Sequence, residues 1–197
     1  AGDPQGKANI INPINDSFNV TKEYLNKLET TDRNYIAEIN IYQGQLDGMI
    51  GCYNNIVSLA STTINDSRVS SAFGFYETKK NQGDTLKNLL NNEILLIGKE
   101  RELITSTMAS INASNSAQEI YTLFNGFQNA VDSQGMPTVN SYAQREGEYQ
   151  AYKLTAPLDY NGYGTINTLN TQCATTRADI MENIRQQRPI NNNGGDN

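Results

Sequence analysis

Apolar side chains recur along residues 35–60 at every third or fourth position. The set is Tyr35, Ile39, Tyr42, Leu46, Met49, Tyr53, Ile56 and Ala60. The steps alternate between four and three, which is the spacing of a helix that packs lengthwise against other helices. We therefore predict one long helix over residues 17–61, with Asp16 or Ser17 as its N-cap. Residues 1–16 are rich in Gly, Pro and Asn, which favours an extended arm.

A second apolar line follows a stretch without clear periodicity. We predict a packed connector over residues 61–83. Asp84 is the predicted cap of the next helix, which ends near residue 110. The line consists of Leu86, Leu90, Ile94, Ile97, Arg101, Ile104, Met108 and Ile111. A charge inside such a line is expected to pair with a carboxylate on a facing helix or to extend into water past its own stem. We therefore predict that Arg101 sets the register of the helices and takes no part in chemistry.

Shorter helical segments complete the predicted fold. Ser116 and Glu119 form a capping box for a short helix. Two further helices are predicted over about residues 138–154 and 165–188, and residues 190–197 form a flexible tail.

The sequence thus predicts an all-α fold: an elongated antiparallel three-helix bundle with a small helical appendage. The bundle covers residues 17–189, and the appendage is inserted at about residues 113–157. Antiparallel packing of the three long helices is the simplest arrangement that buries their apolar lines. No convincing strand pattern and no internal repeat of fixed period accompanies them.

Composition narrows the classes of function. The formal net charge is −6 and basic residues do not cluster, so we expect no nucleic-acid partner. The sequence contains no His, which removes Ser-His and Cys-His nucleophile pairs, the commonest general base and most zinc sites. We therefore expect no enzyme, no catalytic residue, no cofactor and no metal. No apolar run approaches the roughly 20 residues that cross a bilayer, so no transmembrane segment is predicted.

The N-terminus and the cysteines bear on export. The chain begins Ala1-Gly2-Asp3-Pro4 without Met, as a mature exported protein does, and a shortened recombinant chain is the alternative. Cys52 and Cys173 can form one disulfide or remain two buried thiols. Because the N-terminus favours export, we favour the disulfide.

Three glycines lie on the opposite side of the first helix from its apolar line. Gly44, Gly48 and Gly51 repeat at the same four-three spacing but two residues out of phase, which is about 200° around a helix. They are either tolerated in a well-packed helix or allow the backbone of another segment or subunit to approach. We name these three residues the glycine stripe and treat it as a candidate assembly surface.

Two tyrosines are candidates for contact with another molecule. Tyr160 and Tyr163 flank Asn161 and Gly162 in a predicted loop, and such a composition resembles a recognition surface. An ordinary loop is the alternative. Four motifs that begin at Asn15, Asn19, Asn65 and Asn112 match the N-glycosylation acceptor pattern, which has meaning only in a eukaryotic secretory pathway.

Paired carboxylates can act as acid-base groups. The pairs are Glu100 with Glu102 and Glu146 with Glu148. Two residues apart on a helix, the members of a pair point in different directions, so we predict that all four lie on solvated faces.

The order of these features resembles a known family. A mature-looking N-terminus precedes a long heptad helix that contains Tyr42-Gln43-Gly44-Gln45-Leu46, and the closing helix ends Ile184-Arg185-Gln186-Gln187. This layout resembles the minor pilus-tip subunits of bacterial type IV secretion and conjugation systems. The resemblance implies a three-helix bundle with a helical appendage, and a role in pilus assembly and contact with recipient cells. The two distant cysteines depart from that family.

The leading hypothesis is an exported, non-enzymatic structural or adhesive subunit at the periplasm or cell surface. Its expected partners are other protein subunits, including copies of itself. A glycosylated helical-bundle receptor or antigen of a eukaryotic microbe is one alternative. A coiled-coil component of a phage or another large assembly is a second.

Overall fold

The structure is a computed structural model that describes residues 4–60, 64–133 and 162–187. About 95% of these residues are helical and none forms a strand, which confirms the all-α class. The helices within these ranges are α1 (Pro4–Leu59), α2 (Ser67–Ala113), α3 (Ala117–Ser133) and α4 (Gly162–Gln187). Along these same ranges, no helix is long and apolar enough to span a membrane. The helix predicted over residues 138–154 and the predicted tail lie outside the described residues.

Helix α1 begins at Pro4, so the prediction of an extended arm is wrong over residues 4–16. Proline suits the first turn of a helix because its φ angle is already helical and its missing N–H would have no partner there. Pro13 lies inside α1 and removes one backbone hydrogen bond. The helix nevertheless continues because Ile11 and Phe18, on either side of Pro13, are both buried. Packing thus overrides the local preference of the sequence.

Helix α2 also begins earlier than predicted, because Asp66 rather than Asp84 caps it. The Asp66 Oδ1 atom accepts a hydrogen bond from the backbone N–H of Arg68 at 2.9 Å. The Asp66 carbonyl accepts from the N–H groups of Val69 and Ser70, both at 3.1 Å. Asp84 lies inside α2. The predicted connector is therefore helical from Ser67 onward.

Helix α3 begins at the predicted cap. The backbone N–H of Glu119 donates to Ser116 Oγ at 3.3 Å, which is the forward half of a capping box. The Glu119 carboxylate accepts from Ser114 Oγ at 2.8 Å instead of reaching the N–H of Ser116. Phe124 and Phe127 of α3 meet Phe18 of α1 edge-on, with ring centroids 5.6 and 5.1 Å apart.

The contacts divide the chain into two units. The first unit comprises Ala1–Ile36 and Lys87–Thr155. Within it, α1 and α2 run antiparallel. Lys7 Nζ donates to the carbonyl of Asn112 at 2.7 Å, and Lys22 Nζ donates to Thr105 Oγ1 at 3.3 Å. Later positions on α1 therefore meet earlier positions on α2.

The second unit comprises Ala37–Leu86 and Ala156–Asn197. Here too α1 and α2 are antiparallel. Gln43 donates to Asp84 at 2.9 Å, whereas Asp47, one turn later on α1, accepts from Tyr76, earlier on α2, at 2.8 Å. Helix α4 joins them through an ion pair between Arg68 and Asp179 with an N–O distance of 2.7 Å.

The end of α4 is held by a side-chain amide. Gln187 Oε1 accepts from the backbone N–H of Asn65 at 3.2 Å, and its Nε2 donates to the Asn65 carbonyl at 3.3 Å. This pair fastens α4 to the residues that precede α2.

Replacing the cap of α2 should destabilise the second unit. Asp66→Ala removes the cap and leaves Arg68 with Asp179 alone, so we expect the free energy of unfolding to fall by about 2–3 kcal/mol. Asp66→Asn keeps a capping oxygen and should lose about half as much. Urea unfolding followed by circular dichroism measures both. Equal stability of Asp66→Ala and the wild type would contradict the assignment of Asp66 as the cap.

Candidate functional site

The glycine stripe faces solvent, as its phase on the helix predicts. Gly44, Gly48 and Gly51 are exposed, and a methyl group added at any of them would meet no other atom within 4 Å. Ile41 lies one turn before Gly44, and 65% of its surface is exposed. The fold itself therefore gives no reason for glycine at these positions. Each costs the helix roughly 1 kcal/mol relative to alanine.

Gly83 provides the contrast, since an internal contact explains it. This glycine of α2 is buried, and an added Cβ would lie 2.7 Å from Gln43 Nε2 and 3.4 Å from Ile39 Cγ2. The Gln43 amide donates to Asp84 Oδ1 at 2.9 Å and to the carbonyl of Lys80 at 3.3 Å. A side chain at this position would therefore have to displace the Gln43 amide from its hydrogen bonds.

Arg101 pairs with a carboxylate on α1, one of the two outcomes expected from the sequence. Its Nη1 atom lies 2.5 Å from Glu29 Oε2 and donates to Asn26 Oδ1 at 2.7 Å. Arg33 also bonds Glu29, at 2.8 Å. The hydrogen bond from Arg101, and then that from Arg33, hold the pKa of Glu29 below its usual range. Arg101 thereby links α2 to α1 at a fixed register within the first unit.

Two carboxylates are fully buried in the first unit, although the sequence predicts neither to be buried. Asp32 and Glu100 have no exposed surface, whereas Glu102 is exposed. The prediction of a solvated face is therefore wrong for Glu100. Both residues fit the four-three spacing of their helices, which is a usable signal for Asp32, whereas the adjacent Arg101 fits the spacing as well as Glu100 does. Burial of a charge is costly unless the charge is paired and hydrogen-bonded.

The two cysteines are joined. The Cys52–Cys173 disulfide connects α1 to α4 in the second unit, with the two Cα atoms 6.1 Å apart. Beside it, the Tyr53 hydroxyl donates to the carbonyl of Leu169 at 3.0 Å. Burial raises the pKa of Tyr53. The covalent bond and the hydrogen bond together attach the first half of α4 to α1.

The structure describes the predicted contact loop only at Tyr163. Tyr163 lies in the first turn of α4, so its prediction as a loop residue is wrong, and Tyr160 lies outside the described residues. Glu146 and Glu148 also lie outside them. Among the residues that the structure describes, no group of three or more His, Cys, Asp or Glu side chains is arranged to hold a metal ion.

Comparison of the chain with protein families, with curated proteins and with solved structures finds no match.

The ion pair at Glu29 should make stability depend on pH. Glu29→Gln is expected to lower the free energy of unfolding by about 1 kcal/mol at pH 7. Because the folded-state pKa of Glu29 is lowered, this contribution is present above the unfolded value of about 4.3 and is lost as the pH falls through the folded value. Urea unfolding at pH 7 and pH 3 should therefore show the variant approaching the wild type in acid. Glu23→Gln is the control, since that side chain is 71% exposed. A deficit that stays constant with pH would contradict the pairing.

The two kinds of glycine should respond oppositely to alanine. Gly48→Ala should raise the free energy of unfolding by about 0.5–1 kcal/mol, because alanine favours the helix and meets no neighbour. Gly83→Ala should lower it, since the Gln43 amide must move and lose its hydrogen bonds. Thermal unfolding of the purified chain measures both. Equal stabilisation by the two substitutions would show that the contact with Gln43 is unimportant.

Proposed function

We propose that this chain is an exported, non-enzymatic structural subunit that assembles into or caps a type IV secretion (conjugative) pilus and contacts partner cells. In this proposal the body is an elongated antiparallel three-helix bundle, and the appendage at about residues 113–157 is presented at the pilus tip. The chain acts in the periplasm or at the cell surface, where it joins other protein subunits and copies of itself.

The glycine stripe carries this proposal. Three exposed glycines weaken α1, and a methyl group at each would meet nothing within 4 Å. Their presence is explained if the backbone of a neighbouring subunit approaches α1 closely, since a side chain would hold it away. Exposed Ile41 extends the same face by one turn and would be covered by the same neighbour.

The disulfide supports export. Disulfides persist in oxidising compartments such as the periplasm and the outside of the cell, and they are rare in the reducing cytosol. Cys52 and Cys173 are 121 residues apart in the sequence, so the bond removes much of the freedom of the unfolded chain. A subunit that works outside the cell gains from such a constraint.

A glycosylated surface receptor or antigen would share the disulfide, but the acceptor motifs weigh against it. Asn15 Nδ2 donates to Asn112 Oδ1 at 3.1 Å, so a sugar on Asn15 would replace one of the two N–H groups of the donating amide. Asn19 lies within α1, and Asn65 is fastened by its backbone to Gln187. A glycan found on the natively produced chain would nevertheless favour the receptor.

The proposal is tested by deleting the gene in the organism that encodes the chain and restoring it from a plasmid. We expect deletion to abolish transfer between cells. The Gly48→Glu variant should fail to restore transfer, because a charged side chain blocks the glycine stripe. Gly74→Glu is the matched control: Gly74 is also helical, exposed and without a neighbour within 4 Å, but it lies on α2.

The outcomes of this experiment test the pilus role and the glycine stripe separately. Transfer at the wild-type rate after deletion would rule out the pilus role. Full restoration by both variants, with equal amounts of each in the periplasm by immunoblot, would rule out the glycine stripe as the contact.

A further inference from the structure

The first half of α4 is a helix built largely from residues that disfavour helices. Residues 162–176 contain two glycines, five threonines and two asparagines, so nine of the fifteen are weak helix formers. The hydroxyls of Thr168 and Thr175 donate to carbonyls one turn back, at 2.8 and 2.7 Å, and such bonds weaken and bend a helix. The first turn contains no acidic residue that would favour the N-terminal end of the helix. We name residues 162–176 the disulfide-held segment.

The second half of α4 has a different composition and attachments of its own. Seven of its eleven residues, 177–187, are Ala, Arg, Met, Glu or Gln, which favour a helix. Asp179 pairs with Arg68 at 2.7 Å, and the Gln187 amide bonds the backbone of Asn65. The buried isoleucines of this half are Ile180 and Ile184. The second half of α4 therefore has contacts that do not depend on the disulfide.

The disulfide-held segment has fewer non-covalent contacts with α1. Between residues 164 and 176 the buried side chains are Ile166 and Cys173, and Leu169 is half-buried. The Tyr53 hydroxyl donates to the Leu169 carbonyl at 3.0 Å. A helix of this length is marginal in water even with a favourable composition, and this composition is unfavourable. The covalent bond to Cys52 is therefore the strongest attachment of the segment.

We infer that the disulfide-held segment is a redox-sensitive conformational device. It is a docked helix while Cys52 and Cys173 are joined, and it unfolds from α1 when they are reduced, whereas residues 177–187 stay docked. The reason is that the disulfide restricts the unfolded segment, and reduction returns that conformational freedom to a helix with little to oppose it. Opening uncovers Tyr53, which is fully buried in the oxidised chain. The inference does not depend on the pilus role.

Reduction by a dithiol begins at Cys52. This residue is half-buried, whereas Cys173 is fully buried, so the thiolate of the reductant reaches the Sγ of Cys52 first. A bond forms between the reductant and Cys52 Sγ, and the bond between the cysteines breaks with its electron pair on Cys173 Sγ, which takes a proton from water. The second thiolate of the reductant then attacks the mixed disulfide and releases Cys52 as a thiol. The reductant leaves as a cyclic disulfide and has supplied two electrons.

Amide hydrogen exchange followed by mass spectrometry tests this inference on the purified full-length chain, oxidised and after treatment with dithiothreitol. Peptides are compared from the disulfide-held segment, from residues 177–187, and from residues 97–111 of α2 in the first unit. We expect reduction to speed exchange in the disulfide-held segment at least about tenfold, and to change it in the other two by less than about twofold. This comparison uses the wild-type chain, so it requires no variant to fold.

Two variants separate the loss of the disulfide from other effects of the reductant. Cys52→Ser combined with Cys173→Ser should exchange quickly in the disulfide-held segment with and without dithiothreitol. Asn167→Ala combined with Asn170→Ala and Thr171→Ala favours the helix at three exposed positions. Once reduced, this variant should exchange at least about threefold more slowly in the segment than the reduced wild type. Equal exchange of the two reduced chains would contradict helix propensity as the cause.

Three results would overturn the inference. They are equal protection of the disulfide-held segment in the oxidised and reduced chains, equal acceleration along the whole of residues 162–187, and acceleration that extends to residues 97–111. The second result would show that α4 detaches as one piece, and the third that the disulfide stabilises the entire fold. Because none of these measurements involves transfer between cells, this inference and the pilus role can fail separately.

Discussion

Side chains at alternating three- and four-residue steps from Ile11 to Ile56 form one buried line along α1, and the other helices cover it. Burial of a large apolar side chain stabilises a protein by roughly 1.5–3 kcal/mol, whereas a long helix alone in water is only marginally stable. The length of α1 therefore depends on its neighbours more than on its own composition. This dependence explains how α1 contains both Pro13 and the glycine stripe without breaking.

The two units secure the pairing of α1 and α2 by different means. In the first unit, Arg101 of α2 pairs with Glu29 of α1 at an N–O distance of 2.5 Å. A shift of either helix would separate these two charges, so the pair favours one register over its neighbours. In the second unit, the close fit of Gln43 against Gly83 serves the same purpose by shape. Charge thus fixes the register of α1 and α2 in the first unit, and steric fit fixes it in the second.

The helical class and the outward direction of the glycine stripe could be predicted because both depend on spacing along one helix. The start of α1 could not, since Pro and Asn favour a loop locally while the burial of Ile11 and Phe18 depends on distant residues. The cap at Asp66 could not be predicted either, because it lies in the stretch without clear periodicity. A shift of one residue separates Glu100, which is buried, from Arg101, which is paired at the margin. Spacing alone does not settle which of two adjacent positions faces inward when both are charged.

The disulfide between Cys52 and Cys173 closes the intervening residues into a covalent circle. The N-terminal and C-terminal segments extend from this circle as two tails. A single protease cut anywhere in the circle opens it but releases no fragment, so the cut chain keeps its full mass until a reductant is added. A cut in either tail leaves a piece that no covalent bond holds to the rest. The disulfide therefore keeps α4 with the molecule even after the peptide backbone that leads to it has been cleaved.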